Sequence, residues 1–164
     1  MNVTRRRFLA GAAAASATIV VATACARSAA ASPADEYEVT HTDAEWKQLL
    51  TADQYYVLRN AGTESPYSSP LNDEHRPGVF TCAGCALDLF SADTKFDSGT
   101  GWPSFWRPLD AAVIEHRDDT FGMSRTEVLC RRCGGHLGHV FDDGPQPTGL
   151  RYCMNGDALA FRPA

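Results

Sequence analysis

Two Cys-x-x-Cys pairs, Cys82/Cys85 and Cys130/Cys133, constrain this chain more than any other feature, because they would tie two remote turns to one point. Each pair offers two sulfurs from one knuckle, and two knuckles complete a tetrahedral tetrathiolate set suited to a single structural zinc ion. Gly84 inside the first knuckle and Gly134-Gly135 after the second are expected to give these turns their backbone freedom. Two disulfides are the alternative, and exported proteins favour them. Disulfides inside Cys-x-x-Cys are, however, usually redox-active rather than structural, and a free cysteine beside four oxidised ones invites exchange. The spacing therefore predicts Cys82, Cys85, Cys130 and Cys133 as metal ligands and Zn2+ as the cofactor.

The N-terminus reads as an export segment. Thr4-Arg5-Arg6-Arg7-Phe8-Leu9 is a twin-arginine signature, followed by an Ala-rich run from Ala10 to Ala24 and a small-residue cleavage site at Ala29-Ala30-Ala31. A retained anchor is the alternative, but the run falls short of the roughly 20 apolar residues that span a bilayer. Cys25 is either removed with this segment or blocked as the lipidated first residue of a lipoprotein. The domain reading is thus an export signal over 1–31, a lead-in over 32–41 and a folded domain over 42–164, in a periplasmic or other extracytoplasmic compartment. Twin-arginine export carries folded proteins, so zinc would be loaded in the reducing cytoplasm. Removing residues 1–31 takes four of the 15 basic residues and leaves 11 against 20 acidic ones, a net of −9. That balance excludes nucleic acid, which needs a basic face, and an anionic membrane surface. A monomer is expected.

Thr42-Asp43-Ala44-Glu45 is a capping box. Trp46, Leu49 and Leu50 mark an apolar stripe on the helix it opens, and Tyr55-Tyr56-Val57-Leu58 a second short helix. From Gly62 onward, turn residues break the chain into short segments. Val79-Phe80-Thr81, Val113-Ile114-Glu115, Met123 to Leu129, Gly138 to Phe141 and Leu150 to Met154 read as strands. The fold class is mainly β and antiparallel, with short helices at the N-terminus.

Cys153 has no cysteine three positions away. Residues two apart on a strand share a face, so Arg151, Cys153 and Asn155 lie together, with Tyr152 and Met154 opposite. A guanidinium beside a thiol favours the nucleophilic thiolate, and an amide adds a hydrogen-bond donor. The alternative is a small buried hydrophobe. His136 and His139 are natural proton donors; three apart, they reach one site only if Gly138 allows a bulge or bend. Either alone is more often structural. Trp102 sits on the turn Gly99-Thr100-Gly101-Trp102, where a ring can wall an apolar pocket; Phe105 and Trp106 are assigned to the core.

Together these stretches resemble the methionine sulfoxide reductase B family. The resemblance is carried by Gly62-Thr63-Glu64-Ser65-Pro66-Tyr67-Ser68, Cys82-Ala83-Gly84-Cys85, and Lys95-Phe96-Asp97-Ser98-Gly99-Thr100-Gly101-Trp102-Pro103-Ser104-Phe105. It continues through Cys130-Arg131-Arg132-Cys133-Gly134-Gly135-His136-Leu137-Gly138-His139-Val140-Phe141, Asp143-Gly144-Pro145 and Arg151-Tyr152-Cys153-Met154-Asn155. It spans Asp43 to Phe161. It implies two antiparallel sheets with short flanking helices, and thiol-dependent reduction of the R epimer of methionine sulfoxide, in proteins or as the free amino acid. Cys153 would be the nucleophile, Trp102 the wall for the substrate methyl, and His139, helped by Asn155 and His136, the group addressing the sulfoxide oxygen. Arg151 matches the family's arginine beside the nucleophile. The partners implied are oxidised proteins and an external thioredoxin-like or glutaredoxin-like thiol.

Two positions depart from the family. Thr100 stands where many members carry a resolving cysteine, so a Cys153 sulfenic acid must be reduced by an external thiol. Gly156 stands where serine is frequent, with small expected consequence. The rival readings are an exported zinc-knuckle interaction module with Cys153 merely buried, and a ligand-binding domain stapled by two disulfides.

Overall fold

The computed structural model describes residues 37–119 and 122–164; the export segment, Cys25 and the start of the lead-in lie outside them. Thr42 opens helix α1 (Asp43–Leu49) with the expected box: its Oγ1 accepts from the Glu45 N–H at 3.3 Å, and the Glu45 carboxylate accepts from the Thr42 N–H at 2.8 Å. A second box, Thr51 with Gln54, opens α2 (Ala52–Asn60). Trp46, Leu50, Val57 and Leu58 turn inward, whereas Leu49 is 60% exposed. On a seven-residue helix Leu50, at the C-cap, takes the inward place four residues after Trp46. Ahead of α1 the chain is already fastened, since the Val39 N–H donates to the Arg132 carbonyl at 2.9 Å.

The strands are β1 (Gly78–Cys82), β2 (Asp88–Ser91), β3 (Lys95–Phe96), β4 (Ser104–Phe105), β5 (Val113–Asp118), β6 (Arg125–Cys130), β7 (His136–Phe141), β8 (Arg151–Met154) and β9 (Leu159–Pro163). They form two antiparallel sheets, ordered β2-β1-β9 and β3-β4-β8-β7-β6-β5. The fold is therefore mainly β, two sheets with two short helices, as expected. Strand β6 begins two residues later than the sequence pattern suggests.

Aromatic side chains join the sheets. Phe105 on β4 stacks on Phe90 of β2 at 4.4 Å and meets Phe80 of β1 edge-on at 4.9 Å, while Tyr152 on β8 lies 5.9 Å from Phe90. Phe80, Phe90 and Phe105 are fully buried; each such ring contributes roughly 1.5–3 kcal/mol by burial. Trp106 is only half-buried, beneath the Arg107 guanidinium, and does not join this core. Because Tyr152 and its register partner Phe105 face the second sheet, their neighbours Cys153 and Ser104 face away from it.

Candidate functional site

Register, more than sequence proximity, assembles the site. Directly opposed residues in antiparallel strands point to one face with Cβ atoms about 4.5–5.5 Å apart. Cys153 on β8 opposes Ser104 on β4 and His139 on β7, and His139 in turn opposes Glu127 on β6. The result is one transverse row, Ser104–Cys153–His139–Glu127, on the face turned away from the smaller sheet. The predicted strand face of Cys153 is observed, with Tyr152 and Met154 buried opposite.

His136 joins His139 on this face through a bulge. Val128 pairs with Gly138 and Leu129 with His136, so Leu137 is the extra residue. The rings then lie 5.4 Å apart, edge to face. Gly138 serves a second purpose: a Cβ there would come within 2.1 Å of the Cys153 carbonyl oxygen, so only glycine lets β7 and β8 close.

A cavity of about 150 Å³ opens over the row, lined by Cys153, His139, Asn155, Trp102, Thr63, Arg125 and Phe141 with Gly138. Drug-sized ligands need roughly 300–1,000 Å³; this one fits the tip of a side chain. Burial pushes the Cys153 thiol above its ordinary value, while Thr100, Arg151 and Ser104 oppose that shift. The Thr100 hydroxyl is 3.8 Å from Sγ and belongs to a chain of hydroxyls, bonded to Ser98 at 2.8 Å, with Ser98 bonded to Ser104 at 2.7 Å. Arg151 is held bidentate by Asp143, both contacts at 2.8 Å, over the Phe141 ring.

The two histidines each meet a carboxylate that the sequence pattern did not single out. His139 Nε2 lies 2.9 Å from Asp118 on β5, which the Arg125 guanidinium also contacts at 2.7 Å. His136 Nδ1 lies 2.6 Å from Glu127, and His136 is buried beneath the row, outside the cavity lining. Burial lowers the His139 pKa, and the Asp118 hydrogen bond acts against it. Were His139 the proton donor for a reaction at Cys153, His139→Ala would lower its kcat/KM by on the order of 10²–10⁴-fold. Asp118→Asn removes the upward influence, so the alkaline limb of the pH–rate profile should move to lower pH and turnover at neutral pH should fall. An unmoved limb would count against a protonated His139 as donor.

Asn155 is almost fully buried and doubly anchored: its Oδ1 accepts from the Glu64 N–H at 3.1 Å and its Nδ2 donates to the Leu137 carbonyl at 3.1 Å. One of its two amide protons is thereby used, and the other is available to the cavity. Trp102 borders the cavity, with Nε1 donating to the Glu64 carbonyl at 3.2 Å. Of the predicted residues, then, Cys153, His139, Asn155 and Trp102 line the cavity, and Arg151 and His136 support them. Asp118, Glu127 and Glu64 were missed because each acts across strands or loops. None of the three carried a local sequence signal: Glu127 stands beside Arg125 and Thr126 in the polar half of its strand.

The knuckles meet as predicted. The four Sγ atoms lie within 4.8 Å of one another, with Cys82–Cys133 at 3.7 Å and Cys85–Cys130 at 3.5 Å. Tetrahedral zinc with sulfur at about 2.3 Å requires edges of roughly 3.8 Å, whereas a disulfide requires about 2.05 Å. All four thiols are free, and the donor set fits a metal ion. Gly84 does not supply the turn's freedom. The left-handed residue is Ala86 in the first knuckle and Gly134 in the second, each four positions after the leading cysteine, where its N–H closes onto that cysteine's carbonyl at 2.8 Å.

Residues 50–163 match the model of the SelR domain. The chain is 54% identical over 127 residues to a peptide methionine sulfoxide reductase MsrB of Agrobacterium fabrum, covering 77% of this chain and 94% of that protein. It is 57% identical over 120 residues to one of Pseudomonas putida, covering 73% and 92%. An archaeal relative so named, from Methanosarcina mazei, is 50% identical over 125 residues, covering 76% and 89%. With its two sheets, its clustered thiols and likeness over nearly the full length of these relatives, the chain belongs to the MsrB family of SelR-domain proteins.

Proposed function

We propose that this protein reduces methionine sulfoxide to methionine, acting on the R epimer in oxidised proteins, with Cys153 as nucleophile. The observation that carries this reading is the side-chain-sized cavity where Cys153, His139, Asn155 and Trp102 converge. Trp102 offers an apolar wall to the substrate methyl, and His139 and Asn155 offer hydrogen-bond donors to the oxygen. A pyramidal sulfur contacted at methyl, oxygen and lone-pair side is held in one handedness, which supports selection of a single epimer.

The proton inventory closes without an outside acid. Cys153 gives up its proton as its sulfur attacks the sulfoxide sulfur, and the substrate oxygen takes one up through His139. The sulfur–sulfur bond formed by the attack and the substrate S–O bond both break as a Cys153 S–O bond forms, and the thioether leaves; cysteine sulfur is oxidised to sulfenic acid as the sulfoxide is reduced. Arg151 and the Thr100, Ser104 and Ser98 hydroxyls stabilise the thiolate that develops. One external thiol then converts the sulfenic acid to a mixed disulfide and water, and a second releases Cys153. A thioredoxin-like or glutaredoxin-like protein suits that role. The four-cysteine site would hold structural zinc, which supplies folding energy.

We extend the proposal to export of a monomer by the twin-arginine route, with lipidation at Cys25 as its variant, on the strength of Arg5-Arg6 and the short Ala-rich run. Among the described residues no helix is long and apolar enough to cross a membrane.

Turnover of the separate epimers with dithiothreitol tests the function, with protein mass recorded after one substrate equivalent without reductant. The R epimer should be consumed and the protein should gain one oxygen. A dimedone-type trap should label Cys153 alone, since the position facing it holds Thr100. An intramolecular disulfide after turnover would overturn this recycling route, and would mean that a knuckle cysteine doubles as the resolving thiol.

A further inference from the structure

Two walls of the cavity, Trp102 and Asn155, come from segments far apart in the chain, and both are hydrogen-bonded to the same residue. Glu64 accepts the Trp102 indole N–H on its carbonyl and donates its own N–H to Asn155 Oδ1. Its neighbour Thr63 lines the cavity as well. The Glu64 side chain ties this stretch to the chain that follows β8. Its Oε1 accepts from the Gly156 N–H at 2.7 Å and its Oε2 from the Asp157 N–H at 2.8 Å, so both oxygens grip the 3-10 turn Gly156–Ala158 that follows β8. Glu64 is only 8% exposed. A buried carboxylate is costly unless bonded, and two charge-assisted bonds to backbone N–H groups are the strong kind.

The turn leaves no slack on its other side. A Cβ at Gly156 would lie 1.9 Å from Ser69 Oγ, so Ser69 occupies the space that a larger residue would need. Gly156 is therefore a packed position, with Ser69 filling the space beside its Cα.

We propose that Glu64 is a positioning residue: its carboxylate clamps the turn after the nucleophile strand so that its own backbone sets the spacing between Trp102 and Asn155. This rests on the reductase reading for its effect on turnover, though its structural part does not. Methyl wall and oxygen-side amide are then placed by one residue that touches no reacting atom. Loosening the clamp moves both groups together.

Glu64→Gln tests this, with Glu64→Ala as the more severe variant and Glu45→Ala as a control that removes a different carboxylate cap, on α1. In Glu64→Gln one oxygen still accepts, but an NH2 faces the second N–H. The readouts are the resonances of the Trp102 indole N–H and the Asn155 side-chain amide, and kcat and KM on the R epimer. Glu64→Gln should shift both resonances, raise KM and lower kcat, with a combined loss of roughly 10²-fold, the scale expected for an ångström of misplacement. Glu64→Ala should lose more. Glu45→Ala should lower the melting temperature and leave resonances and kinetics unchanged. Unmoved resonances, or a kcat/KM within twofold of the unmodified protein, would overturn the proposal. If the unmodified protein fails to turn over either epimer, the reductase reading falls, and the resonances alone decide the clamp.

Discussion

Cys153→Ser should keep its metal, its melting temperature and its cavity, and lose turnover by more than about 10⁴-fold, as removal of an essential nucleophile does. The hydroxyl is close to isosteric, and Thr100 remains poised to bond it. The chemistry is what fails. A serine at neutral pH offers no anion to attack sulfur, and transfer of the sulfoxide oxygen to it would require a peroxide bond. Epimer-resolved turnover with dithiothreitol, alongside metal content and thermal unfolding, measures the effect. Retained turnover in this variant would remove Cys153 from the mechanism, and a lost melting transition would make it a core residue.

Cys130→Ser should abolish the fold. Cys82 ends a strand of one sheet and Cys130 ends a strand of the other, so an ion held by both knuckles binds the two sheets to each other. Structural zinc contributes roughly 10–16 kcal/mol in small domains, whereas whole domains are stable by roughly 5–15 kcal/mol. Loss of one ligand should therefore leave no cooperative transition and little bound zinc, and Cys82→Ser should behave alike. Elemental analysis and circular dichroism check this. A zinc-free native protein with two disulfides by mass would falsify the metal assignment.

Features set by local spacing were legible in the sequence. The knuckles are read from a three-residue offset, the Thr42 box from another, and the outward face of Cys153 from strand alternation, and each stands in the fold. Strands β3 and β4 were not legible, being two residues each and carrying no period; β2 and β9 are short and lie among turn residues. The carboxylates escaped for a different reason. Asp118 reaches His139 from 21 residues away and Glu64 reaches Gly156 from 92 residues away. Such partners exist only once register is fixed. His136 and His139 fell between these cases: their shared face required a bulge, and the insertion at Leu137 is visible only in the pairing of β6 with β7.

The transverse row makes activity a question of parity. Side chains alternate along β8, so sliding it by one residue against β7 would present Tyr152 or Met154 to His139 and turn the thiol toward the aromatic core. Such a chain could remain compact and keep its four cysteines clustered while having no thiol at the cavity. A change of length in the loop between Phe141 and Arg151 is harmless to the row only where the ladder re-forms in step and Asp143 still reaches Arg151. A single residue gained or lost within either strand, unless a bulge absorbs it as at Leu137, would turn Cys153 away from the cavity, because odd and even positions would trade places.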